Sequence, residues 1–276
     1  MPSLVIHPSL PAVSTAPPGV YGKMYLVGMG PGNADLVTFR AAEILKDADC
    51  VFCFAYLKDE VARFASPAKI AVASPLLMGR VCGRKAAELP PERREELEQS
   101  KAELSEFAAK VRNMVAASKT VVIADAGDPA VYCPWSWVTE EFADLQPTIV
   151  PGLSSFSAAN AALRQSITQY SGSVLISGGE DLGTPDKDGR LKLMLVLFTY
   201  HAKLKDLVPR LRSRYPADTP VAIVCQASYP TQCVLWGTLG TIQERTANER
   251  LPHLYLVYVG DGLKAPAASP IMQSHN

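Results

Sequence analysis

The chain has 276 residues, 48% hydrophobic and 20% charged, with 27 Lys plus Arg against 27 Asp plus Glu. This is a globular composition, long enough for one large domain or two medium ones. The balanced charge leaves no overall footprint for nucleic acid or an anionic membrane, and no stretch reaches the roughly 18 apolar residues of a membrane span.

Residues 1–22 carry prolines at 2, 8, 11, 17 and 18 and no basic n-region, so they read as a flexible arm and not as a signal peptide. Met24 to Val27 is an apolar run, which predicts a buried strand. Gly28-Met29-Gly30-Pro31-Gly32 then predicts a tight turn. Asn33 is the expected N-cap of a helix with apolar positions at Val37, Ala41, Ile44, Leu45 and Ala48. A dinucleotide fingerprint would need glycine where Asn33 stands. Pro31 also lacks the amide N–H that a phosphate cradle uses. The glycines instead let the backbone approach a different ligand or a second loop.

Cys50 to Phe54 is the second predicted strand. Residues three apart on a strand face opposite sides, so Cys50 and Cys53 are expected as buried thiols and not as a zinc or redox pair. Six cysteines in a chain of this length, without a secretory signal, require no disulfides and point to the cytoplasm. A short helix at 58–64 and a strand at 69–73 follow, then an irregular stretch from Ser74 to Pro91. A long helix is expected over 92–118, with a charged, solvated start and apolar Leu104, Phe107, Ala108, Val111, Met114 and Val115.

Thr120 to Asp125 reads as a strand running into Ala126-Gly127-Asp128-Pro129. A helix is expected over 131–145, with Trp135, Val138, Phe142 and Leu145 near one face and Pro134 in its first turn. Thr148 to Val150 is a strand ending in Pro151-Gly152-Leu153-Ser154-Ser155, and a helix follows from Ser155 to Leu163. Strands that end in glycine turns and lead into helices predict a parallel sheet with a ligand crevice at its carboxyl edge. Beyond about residue 163 strands dominate, at 174–177, 193–198, 221–226, 233–238 and 254–259, with a helix at 203–215 and a surface loop at 178–190. The expected organisation is an α/β domain over 23–168, a second α/β domain with a mixed sheet over 169–263, and a loose tail over 264–276.

Four segments together resemble one family. Val27-Gly28-Met29-Gly30-Pro31-Gly32 with Asp35-Leu36-Val37-Thr38, Gly127-Asp128-Pro129-Ala130-Val131-Tyr132, Val150-Pro151-Gly152-Leu153-Ser154-Ser155-Phe156, and Ala227-Ser228-Tyr229-Pro230 with Gly237-Thr238-Leu239 are similar to motifs of the tetrapyrrole (corrin/porphyrin) methylases and stand in the same order. The late segment and the region from Phe54 to Glu60 are most similar to the precorrin-4 C-11 methyltransferase branch. This chain departs from that branch at Ala55-Tyr56, at Ile176-Ser177-Gly178-Gly179 and in the length of Met78 to Gln99. Each departure lies where the family holds its ring.

The resemblance implies two α/β domains with a cleft between them, S-adenosyl-L-methionine as cofactor, a small tetrapyrrole as substrate and a homodimer. It places Pro31 in the first cofactor loop and Gly127, Asp128, Val131 and Tyr132 at the homocysteine end. Ser154 and Ser155 hydrogen-bond from the third loop, and Thr199, Tyr200, Ala227 and Thr238 surround the adenosine. Asp128 is suited to a charge-assisted bond with the cofactor's ammonium group, or to a turn that bonds its own backbone. Methyl transfer to an electron-rich ring carbon depends chiefly on alignment, worth on the order of 7–11 kcal/mol, and no catalytic residue is assigned. Asp125 is the acid–base candidate by position, or else a cap; His201 is another. Arg63, Arg80, Arg84 and Lys85 are placed to meet ring carboxylates or simply to be solvated. Two alternatives stay open: a relative that methylates a protein, peptide or ribosomal RNA, and a non-catalytic cofactor-binding module.

Overall fold

A computed structural model describes residues 23–78, 94–169, 171–199, 203–247, 251–252 and 255–265. Strands β1 (Met24–Gly28), β2 (Cys50–Cys53), β3 (Ile70–Val72), β4 (Val121–Asp125) and β5 (Thr148–Val150) form the first sheet, in the order β3-β2-β4-β1-β5. Every neighbouring pair is parallel. Such a sheet is covered on both faces, which is why its strands read as continuous apolar runs. Alternate residues divide between two cores. Val121 and Ile123 join Phe52, Phe107 and Trp135 on one face. Val122 and Ala124 join Val27, Leu45 and Val51 on the other. Cys50 and Cys53 fall on opposite faces, as a strand period of two requires.

Helix α1 (Phe39–Asp47) covers the Val27 face with Ala41 and Leu45. Its cap differs from the expectation. Thr38 supplies it, its Oγ1 accepting from the Ala41 N–H at 3.2 Å, while Asn33 only begins a single 3-10 turn over Ala34–Leu36 and makes no side-chain cap. Helix α2 (Lys58–Val61) is one turn long, and α3 (Arg94–Ala116) packs Phe107, Ala108, Val111 and Val115 onto the aromatic face.

The helix expected over 131–145 does not form as one element. Tyr132 takes a left-handed φ of 55°, and only α4 (Val138–Glu141) and a 3-10 turn at Ala143–Leu145 are helical. Pro134 disfavours helical backbone at Cys133 and offers no N–H. The Cys133 sulfur instead accepts from the Trp135 N–H at 3.2 Å. Trp135, Val138 and Phe142 still reach the core, so the apolar spacing marked burial but not continuity.

The second sheet contains β6 (Val174–Ser177), β7 (Met194–Phe198), β8 (Pro220–Cys225), β9 (Cys233–Thr238) and β10 (Tyr255–Val259), in the order β6-β7-β10-β8-β9. Only the β6–β7 pair is parallel, so the sheet is mixed. Helix α6 (Leu204–Arg212) and the five-residue α7 (Ile242–Thr246), which lacks a sequence signal of its own, cover one face. The other face is covered by α5 (Ser155–Leu163), whose Ala159 and Leu163 pack against Val196, Val224 and Tyr258. Tyr258 anchors this contact, its hydroxyl donating to Asn160 Oδ1 at 2.8 Å. The helix that leaves the first sheet thus forms part of the second core. Among the described residues no helix is long and apolar enough to cross a membrane.

Candidate functional site

Strands β4, β1 and β5 lie side by side, so their three glycine turns emerge together at the carboxyl edge. The turns are bonded to one another. Met29 N–H donates to the Asp125 carbonyl at 2.7 Å, and Gly30 and Gly127 exchange backbone bonds of 3.2 and 2.7 Å. A Cβ at Gly28 would lie 2.6 Å from the Gly127 carbonyl oxygen, and one at Gly152 would run into that same oxygen. Here the first use of glycine is the approach of one loop to another. Gly127 differs. Its φ is +74°, and the nearest atom to an added Cβ is the Ser155 amide nitrogen, 3.7 Å away. A small open place, with room for a methyl-sized group in ordinary contact with that nitrogen, therefore lies at Gly127.

Asp128 Oδ1 accepts from the Ala130 N–H at 2.9 Å, so one carboxylate oxygen stabilises the turn. Ser154 Oγ accepts from the Phe156 N–H at 3.3 Å and caps α5. Replacing Ser154 by alanine removes this cap and is expected to cost about 1 kcal/mol, read as a lower denaturant midpoint at an unchanged m-value.

The second sheet presents the ends of β6, β7 and β8 and the start of β10 to the same region. Two tyrosines cross between the sheets. The half-exposed Tyr132 stacks on Phe198 with centroids 4.7 Å apart, and its hydroxyl donates to the Ile176 carbonyl at 3.4 Å. Tyr229 lies against Gly32, where a Cβ would meet its ring, and its hydroxyl reaches Glu60 Oε1 at 3.5 Å. Thr199 is buried and donates to the Tyr255 carbonyl, while Ala227 packs beside Val224.

The strand order places the turns carrying Pro31, Gly127, Asp128, Val131, Tyr132, Ser154 and Ser155 at the carboxyl edge of the first sheet, and Thr199 and Ala227 just after the ends of β7 and β8. It does not bring Thr238 there. That residue pairs with Pro220, at the end of the β8–β9 ladder away from Cys225 and Ala227. At about 3.4 Å per residue this sets it roughly 17 Å from the edge, and its hydroxyl contacts Thr241 at 3.3 Å. Tyr200, His201, Arg80, Arg84, Lys85, the arm over 1–22 and the tail beyond 265 lie outside the described residues. Glu60, Phe198 and Tyr229 were not singled out from sequence. Tyr229 stands in a quoted motif, but no spacing reveals that it reaches Gly32.

Asp125 is 1% exposed at the carboxyl end of the central strand, and neither of its oxygens meets a partner at hydrogen-bond geometry. Burial pushes its carboxyl up to about 6; the Cys133 thiol, the Ala126 N–H and the Tyr56 hydroxyl stabilise the charge only in part. Burial, followed by the Asp125 charge, pushes the Cys133 thiol up in turn.

The open place at Gly127, the turn without a Pro31 N–H and the single carboxylate of Asp128 suit a ligand with an ammonium and a sulfonium and no phosphate. Residues 23–243 match the model of the Tetrapyrrole (Corrin/Porphyrin) Methylases. The chain belongs to this family. It is 29% identical over 259 residues to the precorrin-4 C(11)-methyltransferase of Mycobacterium tuberculosis, a match covering 88% of this chain and 92% of that protein. The solved structure of a cobalt precorrin-4 methyltransferase superposes with a TM-score of 0.67 at 22% identity, covering 88% of this chain and 96% of the other. The uroporphyrin-III C-methyl transferase of Thermus thermophilus complexed with S-adenosyl homocysteine gives 0.63 at 21% identity, covering 91% and 98%. Both structures share the fold. The methylase is an enzyme dependent on S-adenosylmethionine.

Proposed function

We propose that the methylase transfers a methyl group to a ring carbon of a corrin precursor, of the precorrin-4 C-11 type. The match to a protein of that name, over 88% of this chain and 92% of that protein, carries this reading. The bound cofactor supplies an electrophilic methyl group. Pro31, Gly127 and Val131 would shape the first wall, and the Asp128 carboxylate would pair with the ammonium. Ser155 N–H lines the open place. Tyr132, Thr199 and Ala227 close the second wall, and Thr238 lies away from it. Tyr132 and Tyr229 bridge the two sheets and restrict water beside the reacting atoms. The acceptor is a small ring and not a nucleic acid, in keeping with the balanced charge.

The test is incubation with methyl-labelled cofactor and either precorrin-4, its cobalt form or uroporphyrinogen III. Label in the first two supports the reading. Label only in the third moves the substrate to the porphyrin branch, and label in none overturns the tetrapyrrole assignment for this chain. We also place the protein in the cytoplasm as a homodimer. The described cysteines form no disulfide, and the dimer follows from the family resemblance. Light scattering is expected to give twice 29.7 kDa; a monomer mass would contradict it.

A further inference from the structure

We propose that Tyr56 and Asp125 form a proton relay that takes up the proton released by the acceptor ring after methylation. The inference rests on the tetrapyrrole reading above. Asp125 ends the central strand β4, two residues before Gly127 in the cofactor cleft. By the strand period of two its side chain follows Val121 and Ile123 onto the aromatic face, which also holds Phe54 and Trp135, whose rings stack at 4.3 Å. Strand β2 is the neighbour of β4, and Phe52 is level with Ile123. The turn after β2 therefore brings Tyr56 to the same edge, where it is 47% exposed and stacks on Phe54. Tyr56 is thus the exposed member of the pair and Asp125 the buried one.

The groups that face the carboxylate are Tyr56 from the turn after β2, and Cys133 and the Ala126 N–H from the loop after β4, with Asp128 acting on the thiol. No cation of the described residues is among them. A buried carboxylate without a cationic partner is costly, and such groups concentrate at functional sites. The packing of the strand does not call for it: Val121 and Ile123 fill the same face with apolar side chains.

A pyrrole-type ring that gains a methyl group as the sulfonium becomes a neutral thioether carries one more positive charge. One carbon–carbon bond has formed and one carbon–sulfur bond has broken. The ring regains neutrality when a ring N–H bond breaks and its electron pair stays on nitrogen. That proton passes to the Tyr56 oxygen as the phenolic proton passes to the Asp125 carboxylate, a contact that has to tighten to hydrogen-bond length when the ring is bound; the carboxylate later releases the proton to solvent. The net yield is one proton per methyl group.

The test compares wild type with Asp125→Asn, Asp125→Glu and Tyr56→Phe, using the labelled-methyl assay over pH 5–8 and S-adenosylhomocysteine calorimetry. Wild-type kcat is expected to rise with pH through about 6 and then level off. Asp125→Asn and Tyr56→Phe are expected to lose this limb and to fall about 100-fold or more in kcat, with cofactor affinity unchanged. Asp125→Glu is expected to recover part of the rate.

A second readout needs no turnover. The folded state holds the Asp125 proton more tightly than the unfolded chain does, so ionisation destabilises the fold as pH rises from about 4 to above 6. Asp125→Asn is then expected to melt about 5 °C or more above wild type at pH 8 and at the same temperature at pH 4. Equal kcat and pH profiles in wild type and Asp125→Asn, or equal melting at pH 8, overturn the relay. An inactive wild type overturns the tetrapyrrole reading and the relay with it.

Discussion

Replacing Gly152 by alanine is expected to disrupt the carboxyl edge of the first sheet, at more than about 3 kcal/mol, beyond ordinary overpacking. The new Cβ would meet the Gly127 carbonyl oxygen and the Gly28 Cα and carbonyl carbon. All are backbone atoms of adjacent turns, and none can swing away as the end of a flexible side chain can. Gly127→Ala is the informative contrast. There the Cβ meets only the Ser155 nitrogen, at 3.7 Å, and the penalty is the left-handed φ of +74°, about 1–2 kcal/mol. Gly152→Ala should therefore be the less stable variant in urea. Gly127→Ala should stay folded yet bind S-adenosylhomocysteine more weakly, because its methyl group occupies the open place. The reverse order of stability would contradict the interlocked turns.

Trp135→Ala is the second large effect, about 3–5 kcal/mol. The ring is fully buried. It stacks on Phe54 at 4.3 Å and lies 5.8 Å from both Phe107 and Trp137. Its removal leaves a hole among Phe54, Phe107 and Trp137 and loosens the Cys133–Trp135 turn that follows Tyr132. Equilibrium unfolding should show the full loss, with a smaller loss for Trp135→Phe. A cost under about 1 kcal/mol for Trp135→Ala would mean that the aromatic cluster is not the support of this edge.

What could be read from the sequence follows from which signals are local. The strands of the parallel sheet were legible because burial on both faces makes them unbroken apolar runs, as at Val121–Ala124. Helix α5 has the bounds expected of it, Ser155 to Leu163, with the Ser154 cap and the αL residue Arg164 at its ends. The segment after Asp128 was misread because Trp135, Val138 and Phe142 repeat at helical spacing while Pro134 and the left-handed Tyr132 break the backbone. Apolar spacing reports burial and not backbone continuity.

The cofactor turns were legible as motifs, but their use was not. That Gly28 and Gly152 serve loop contacts while Gly127 leaves open space depends on strand order, which no local signal carries. Thr238 fails for the same reason. Its motif is intact, yet antiparallel pairing with β8 places it at the far edge. Glu60 and Tyr229 are 169 residues apart and meet only across the cleft.

The central claim is that the cofactor lies between the three interlocked turns and the second sheet. A crystal structure of the protein with S-adenosylhomocysteine tests it most directly. The account predicts the ligand against Pro31, Gly127, Asp128, Ser155 and Ala227, with Thr238 out of reach. Density elsewhere, for example in the roughly 400 Å³ groove lined by Phe52, Val72, Leu77 and Phe107, would contradict it.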